Sequence, residues 1–340
     1  MTEPYKAAVL GGGSFGTALC NMLAENGHHA KLWLRDAQRA EEINTEHRNS
    51  RYLPDLQLHA NVQATISLAE AVDGVDVVLV AVPSYSCREV AEQLSKLLPV
   101  TTYIISTTKG TEQTRFNLMS SVLLDILPNN PLAVLSGPNL AKEIVAKQLT
   151  GTVIASDNAQ LIHFAQQLLQ NKYFKVYGNS DRFGVELGGT LKNIYAIVSG
   201  MAAAMNMGDN TRALLMTRSL AEMSRFAVKL GANPLTFLGL AGVGDLIVTC
   251  SSPLSRNYQV GFAVGSGKSL EETTRELGQV AEGVNTLKLV KEKAVELDVY
   301  MPLATGLYRI LFEGGQVSEV IMQLMQNPHQ DDVEFITAEN

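Results

Sequence analysis

Residues 5–27 read YKAAVLGGGSFGTALCNMLAENG, a short apolar run, a cluster of glycines and a longer apolar run in that order. The first run has the length of a strand and stops at Gly11. Gly11-Gly12-Gly13-Ser14-Phe15-Gly16 then matches G-x-G-x-x-G, and an apolar helical pattern continues to Asn26, with Gly27 as a helix stop. A glycine-rich turn alone is weak information. Between a strand and a helix, with the polar end of another strand about twenty residues on, it predicts a dinucleotide-binding turn. Gly11 permits the tight turn, Gly13 lets the backbone approach a pyrophosphate, and Gly16 lets the helix pack closely on the strand. The free N–H groups that open the helix then face the anion.

The next strand-like run, HAKLWL, leads to Arg35-Asp36, where such folds read the adenine ribose. A carboxylate there accepts from the 2′-hydroxyl of NAD, whereas an arginine holds the extra phosphate of NADP. With both residue types adjacent, NADP(H) is favoured and NAD(H) stays open as an accepted alternative. Arg35 also reads as an ordinary cap on a surface strand. Further apolar runs, VDVVLVAV, TTYIIS and PLAVLS, end at Pro83-Ser84, at Thr107-Thr108-Lys109-Gly110 and at Gly137-Pro138-Asn139. Continuous apolar strands of this kind suit a parallel sheet covered on both faces. Ligands of such sheets collect beyond the carboxyl ends of the strands. Lys109 therefore stands either beside a ligand or in a solvated loop.

Beyond about residue 181 strand patterns give way to long helical ones. The expected fold is an α/β N-terminal Rossmann-like domain with a mostly parallel, doubly wound sheet over residues 1–184. An all-α C-terminal domain follows over 185–330, and 331–340 reads as a frayed tail. The segment DNTRALLMTRSLAEMSRFAVKLG predicts a helix capped by Asp209 and stopped by Gly231. Arg218 and Arg225, seven apart, would share a solvated face of it.

Composition narrows the function classes. The chain has 340 residues, 46% hydrophobic and 18% charged, as expected of about two soluble globular domains. A net charge of −7 argues against a general nucleic-acid or anionic-membrane binder, though not against a small anion held by local cations. Three scattered cysteines without ligand spacing fit a reduced, cytoplasmic setting and no metal site. The N-terminus lacks a signal-peptide pattern, and no apolar run is long enough for an integral membrane segment.

The stretch LGGTLKNIYAIVSG, residues 187–200, holds one charged residue, Lys192, in apolar and small surroundings. An ionised amine there is costly unless it is paired or gives up its proton. If the stretch is one helix, Gly188 shares the face of Lys192 and opens room for a flat ring, and Asn193 adds a donor and an acceptor. The bland alternative, a lysine that snorkels to the surface or pairs with a structural carboxylate, stands equal with this functional reading on this window alone. A second stretch, AGVGDLIVTCSSPLSRNYQVG, places Asp245 and Thr249 four apart on a helical face. Arg256 and Asn257 follow, a pair suited to a phosphate by forked, charged hydrogen bonds, or else an ordinary surface arginine and its neighbour.

These residues resemble those of bacterial-type NAD(P)-dependent glycerol-3-phosphate dehydrogenases. The matching stretches are GGGSFGTALC, YLPDLQL, VPS, TTKG, SGPNLAKE, GVELGGTLKNIYAI, AEMSRF, GLAGVGDLIVTCSSPLSRN and VAEG, in the family's order from about residue 7 to 325. The resemblance implies interconversion of sn-glycerol 3-phosphate and dihydroxyacetone phosphate, a Rossmann domain before an all-helical one, a homodimer, and a supply of glycerol phosphate for phospholipid synthesis. It implies Lys192 as general acid/base with Lys109 beside it as a substrate ligand. Gly137, Asp245, Ser255, Arg256 and Asn257 would complete the substrate site, with Asn193 and Thr249 as neighbours. Cofactor contacts would come from Ser14, Phe15, Arg35, Lys109, Ala141, Arg256, Val280 and Glu282. Asn139 departs from the pattern, standing where the family more often has a small hydroxyl residue.

The implied chemistry is hydride transfer with a proton delivered to the ketone oxygen. A lysine of ordinary pKa, about 10.4, is a poor base at neutral pH. Burial and a cationic neighbour such as Lys109 would lower it, and Asp245 would oppose them. Two rivals are another small-substrate dehydrogenase of the same two-domain plan, such as a ketopantoate reductase or 3-hydroxyacid dehydrogenase, and a non-catalytic dinucleotide sensor. An amine sequestered in an apolar helix disfavours the sensor, which needs no proton donor there.

Overall fold

A computed structural model describes residues 3–112, 114–277 and 281–325, so the tail expected at 331–340 lies outside the described residues. Among these, one compact unit takes residues 3–112 and 117–182, and a second takes 114–116 and 183–325.

The first unit is built on one eight-stranded sheet. Its strands are β1 (Lys6–Leu10), β2 (His29–Trp33), β3 (Gln63–Thr65), β4 (Val77–Val80), β5 (Tyr103–Ser106), β6 (Leu132–Ser136), β7 (Thr150–Ala155) and β8 (Phe174–Asn179). They lie in the order β3-β2-β1-β4-β5-β6-β7-β8. Only the β6–β7 pairing is antiparallel. The helices between them are α1 (Ser14–Glu25), α2 (Ala37–Glu46), α3 (Leu68–Val72), α4 (Cys87–Leu94), α5 (Met119–Ile126), α6 (Ala141–Val145) and α7 (Ala159–Leu169).

Period-two alternation explains the two-sided cover. Ala7 and Val9 of β1, with Val77 and Leu79 of β4, enter one apolar core. Ala8, Leu10, Val78 and Val80 enter the other. Strands buried on both faces leave solvent no face, so helices must cover both. The mostly parallel, doubly wound sheet expected from the apolar runs is the one observed. The order reverses between β1 and β4, which places their carboxyl ends at a switch point.

The second unit is helical among the described residues. It holds nearly all of α8 (Arg182–Ala204), then α9 (Asp209–Lys229), α10 (Asp245–Ser251), α11 (Arg256–Gly265), α12 (Leu270–Leu277), α13 (Glu282–Glu296), α14 (Pro302–Phe312) and α15 (Val317–Met325). α8 is buried along most of its length, as befits a central helix apolar on all sides. Glycines bring α11 against it at main-chain distance. A Cβ on Gly261 would stand 1.9 Å from the Ile197 carbonyl oxygen, and one on Gly200 would stand 2.0 Å from that of Tyr258. No side chain fits at either crossing.

A buried acid ties three helices together. Glu222 of α9 accepts from the Leu303 and Ala304 amides at 2.5 and 3.2 Å and from the Tyr195 hydroxyl of α8 at 3.2 Å. It thereby satisfies donors that the start of α14 leaves open. Burial pushes its carboxyl up to about 7, against the pull of those donors.

Two local expectations need correcting. Gly208, not Asp209, caps α9; Asp209 is its first helical residue, where its charge suits the helix dipole and pairs with Arg212. The face bearing Arg225 is not simply solvated, because its guanidinium lies 5.6 Å from the Tyr300 ring centroid and donates to the Tyr300 carbonyl. No helix among the described residues is long and apolar enough to cross a membrane.

Candidate active site

In the first unit the glycine turn has the shape its spacing predicts. Gly11 has φ +125°, and a Cβ there would stand 2.5 Å from the Ala81 carbonyl oxygen. A Cβ on Gly16 would stand 2.0 Å from the Gly11 oxygen, so α1 can leave β1 this tightly only without side chains at both places. Gly13 differs. A Cβ on it would meet no protein atom within 4 Å, and it heads α1 without a side-chain cap. Packing does not demand glycine at 13, whereas a ligand lying against the main chain would. A dinucleotide pyrophosphate fits that cradle, facing the open amides of the first turn of α1. Ser14, its first residue, donates to the Tyr52 carbonyl at 3.2 Å, and Phe15 packs against the adjoining core.

The Arg35-Asp36 pair divides its labour. Arg35 lies 5.9 Å from the Trp33 ring centroid and pairs with Glu89 at 2.8 Å, with both side chains exposed. Asp36 caps α2, accepting from the Arg39 amide at 3.1 Å. Beyond β5, the hydroxyls of Thr107 and Thr108 are tied to the Val80 and Val82 carbonyls, and the Lys109 ammonium reaches the Gly137 carbonyl at 3.4 Å. Lys109 and Gly137, 28 residues apart in the chain, are thus brought together by the ends of β5 and β6. Gly137 has φ +140° and would crowd Thr152 if it carried a Cβ. Asn139 turns its amide to Thr152 Oγ1 at 2.9 Å, while its own buried side-chain oxygen finds no partner among the described residues. Ala141 opens α6 and is half-buried.

The second unit holds the polar centre. Lys192 is 6% exposed and Asp245 0%. The amine pairs with Asp245 Oδ1 and donates to Thr249 Oγ1 at 2.7 Å. Asp245 and Thr249 do share a face of α10, and that face meets Lys192. Snorkelling is excluded, because the amine is buried and paired with a carboxylate. The room expected beside Gly188 is filled, because a Cβ there would stand 2.7 Å from the Ala241 carbonyl oxygen. That glycine admits the main chain of the turn before α10 rather than a flat ligand.

Asn193 is also 6% exposed, and its side-chain amide has no hydrogen-bond partner among the described residues. Ser255 caps α11 and accepts from the Tyr258 amide at 3.4 Å. Arg256 is exposed and has no ion-pair or hydrogen-bond partner among the described residues. Asn257 accepts from the Gly283 amide at 2.9 Å through Oδ1, which directs its Nδ2 donor elsewhere. Gly283 follows Glu282, the first residue of α13, and packs against the Asn193 carbonyl. Val280 lies outside the described residues. All three cysteines are buried and free, and burial pushes the Cys250 thiol up to about 11, so it stays protonated at neutral pH. No group of metal-ligating side chains occurs among the described residues.

Sequence profiles for the two halves of one family match the chain, NAD-dependent glycerol-3-phosphate dehydrogenase N-terminus over residues 6–162 and C-terminus over 181–322. The chain belongs to the NAD-dependent glycerol-3-phosphate dehydrogenase family. Glycerol-3-phosphate dehydrogenase [NAD(P)+] of Alcanivorax borkumensis is 56% identical over 333 residues, 98% of this chain and 97% of that one. The protein of the same name from Teredinibacter turnerae is 55% identical over 335 residues, 98% of each. The crystal structure of glycerol-3-phosphate dehydrogenase from Coxiella burnetii, 36% identical, superposes with a TM-score of 0.90 over 95% of this chain and 99% of that one. The fold expected from the sequence and the family it resembles are therefore both borne out.

Sequence reading passed over Asn49, Tyr52 and Arg39. Asn49 donates to the Gly12 carbonyl at 3.0 Å and to Thr17 Oγ1 at 2.8 Å, fastening a distant loop to the glycine turn. A partial signal existed in Asp36-x-x-Arg39, the spacing of a capping carboxylate and a cation one helical turn on.

Proposed function

We propose that the chain interconverts dihydroxyacetone phosphate and sn-glycerol 3-phosphate, with Lys192 as the general acid/base. The observation that carries this reading is the buried amine held by Asp245 and Thr249 in an otherwise apolar helix. When bound, a nicotinamide cofactor supplies hydride to the ketone carbon or takes it from the alcohol carbon. Protonated Lys192 gives its proton to the ketone oxygen as charge develops there; in reverse, the neutral amine takes the hydroxyl proton. Asp245 and Thr249 fix the position of the nitrogen, and low exposure strengthens every charge interaction around it.

Arg256 and the Nδ2 donor of Asn257, at the start of α11, hold the substrate phosphate, with the open helix amides behind them. Binding that remote group positions the reacting carbon. Asn193 offers its side-chain amide and Ser255 its hydroxyl to the substrate, and Gly137 is assigned as a substrate contact by the family's motif. Lys109 is assigned as a further substrate ligand by the family's motif.

The cofactor contacts are assigned to Gly11, Gly13, Ser14, Phe15, Gly16, Arg35, Lys109 and Ala141, and by the family's motifs also to Arg256, Val280 and Glu282. NADP(H) is favoured over NAD(H), on the strength of Arg35. The family resemblance further supports a cytoplasmic homodimer that supplies glycerol phosphate for phospholipid synthesis. Oxidation of NADPH by dihydroxyacetone phosphate, repeated with NADH, tests the reading. Faster turnover of a carboxylate-bearing ketone than of dihydroxyacetone phosphate would reject it.

A further inference from the structure

Three arginines stand near the carboxyl end of β2 and the glycine turn, and the sequence singled out only Arg35. Arg39 is the better held. Its guanidinium pairs with Asp36 Oδ2 at 2.8 Å while its amide takes Asp36 Oδ1 at 3.1 Å, so one residue engages both oxygens of that carboxylate. The Arg39 side chain is 13% exposed and stacks 5.0 Å from the Tyr52 ring centroid. Arg51 stacks over the same ring at 5.5 Å; it is exposed and has no carboxylate partner among the described residues.

The Tyr52 platform is fastened to the phosphate-binding turn itself. Ser14 Oγ donates to the Tyr52 carbonyl at 3.2 Å, and Asn49 holds Gly12 and Thr17. The Ser50 amide donates to Glu42 of α2 at 3.0 Å. A guanidinium held over an aromatic ring has further N–H groups to offer an oxyanion. Two guanidinium groups over one ring, itself anchored to the glycine turn, suit a phosphate ester.

We propose that Arg39 sets the cofactor preference. It occupies Asp36, the carboxylate that would otherwise accept from a ribose 2′-hydroxyl, and with Arg51 on the other contact of Tyr52 it presents cationic edges to a ribose 2′-phosphate. Arg35 is the lesser contributor, since it is exposed and already shared with Glu89. The inference rests on the reading that the chain takes a nicotinamide dinucleotide and favours the phosphorylated one.

Calorimetric titration with adenosine 2′,5′-bisphosphate and with 5′-AMP tests it without turnover, because the two probes differ only in the 2′-phosphate. The wild-type chain should prefer the bisphosphate. Arg39→Gln should narrow that preference by about tenfold or more, the size of one charge-assisted hydrogen bond. Part of the change should be tighter 5′-AMP binding by the released Asp36, a gain that the double variant Arg39→Gln/Asp36→Asn should lose. Arg51→Gln should weaken the bisphosphate alone, and Arg39→Lys, which keeps the Asp36 pair, should fall between wild type and Arg39→Gln. An unchanged preference ratio in Arg39→Gln, or in Arg39→Lys and Arg51→Gln together should the glutamine variant not fold, overturns the proposal while the broader cofactor reading stands. A wild-type chain indifferent to the 2′-phosphate overturns the NADP(H) preference, and the role given to Arg39 falls with it.

Discussion

Replacing Lys192 by methionine changes two quantities that the structure allows to be separated. Methionine keeps the length and apolar stem of lysine, so packing in α8 is nearly preserved. It leaves Asp245, 0% exposed, without its cation. Stranding one charge of a buried pair costs about 3–5 kcal/mol. Replacing both partners by uncharged groups of similar shape is often close to neutral. Lys192→Met should therefore lose that much stability, and Lys192→Met/Asp245→Asn should recover most of it.

Turnover should follow a different order. Loss of a positioned acid/base lowers rate by about 10²–10⁴-fold. The double variant should stay inactive despite its regained stability, and the fall in rate from Asp245→Asn alone to the double variant isolates the amine. Urea unfolding followed by circular dichroism gives the first quantity, and NADPH oxidation with dihydroxyacetone phosphate gives the second. Near-normal turnover in the double variant would remove Lys192 from the chemistry. A stability loss below about 1 kcal/mol in Lys192→Met would show that the pair is not buried as described.

Other expectations can be checked with similar measurements. Arg256→Ala should raise KM for dihydroxyacetone phosphate by about ten- to a hundredfold, as for lost charged hydrogen bonds, with little change for unphosphorylated dihydroxyacetone; equal loss on both substrates contradicts the phosphate role. Gly13→Ala should leave the melting temperature of the ligand-free chain unchanged, because its methyl meets no protein atom, yet weaken nucleotide binding by about tenfold or more. Undiminished binding would mean that no ligand lies against that position. Glu222 has a folded-state carboxyl raised from 4.5 to about 7, so between those values the folded chain holds a proton that the unfolded chain has lost. Its contribution to stability then declines as pH rises from about 4.5 to 7, by at most about 1.4 kcal/mol per pH unit. Glu222→Gln should gain on wild type over that range in unfolding experiments, and a difference independent of pH would refute the assignment.

The first unit was readable from sequence because its signals are local. Strands buried on both faces leave continuous apolar runs, and the turn at Gly11–Gly16 carries its geometry in its glycines. The polar centre was readable only in part. The four-residue spacing of Asp245 and Thr249 correctly predicted a shared face, but nothing in spacing says that this face meets Lys192, fifty-odd residues earlier in the chain. Family resemblance, not periodicity, joined them. The Gly188 expectation failed because an absent side chain predicts room without saying what fills it; here it is the Ala241 carbonyl. Arg39 and Tyr52 escaped because a capping arginine and a loop tyrosine look ordinary until the tethers at Asn49 and Ser14 are seen.

The central pair has a meaning that stability alone does not supply. Two charges buried together gain from each other roughly what they lose by leaving water, and an apolar pair of the same volume would hold these helices at least as well. The bundle nevertheless keeps an ammonium and a carboxylate within a few residues of main-chain contacts so close that neither side can drift. Gly188 lies one turn before Lys192 against Ala241, which is one turn before Asp245, and Gly283 presses on the carbonyl of Asn193. Such contacts fix the nitrogen by backbone rather than by side-chain packing, which tolerates rotamer changes that backbone does not. A general acid has to meet one oxygen at hydrogen-bond distance, and a displacement of about 1 Å is enough to lose much of its effect. The glycines around α8 therefore belong to the chemistry as much as to the packing: they hold the amine still.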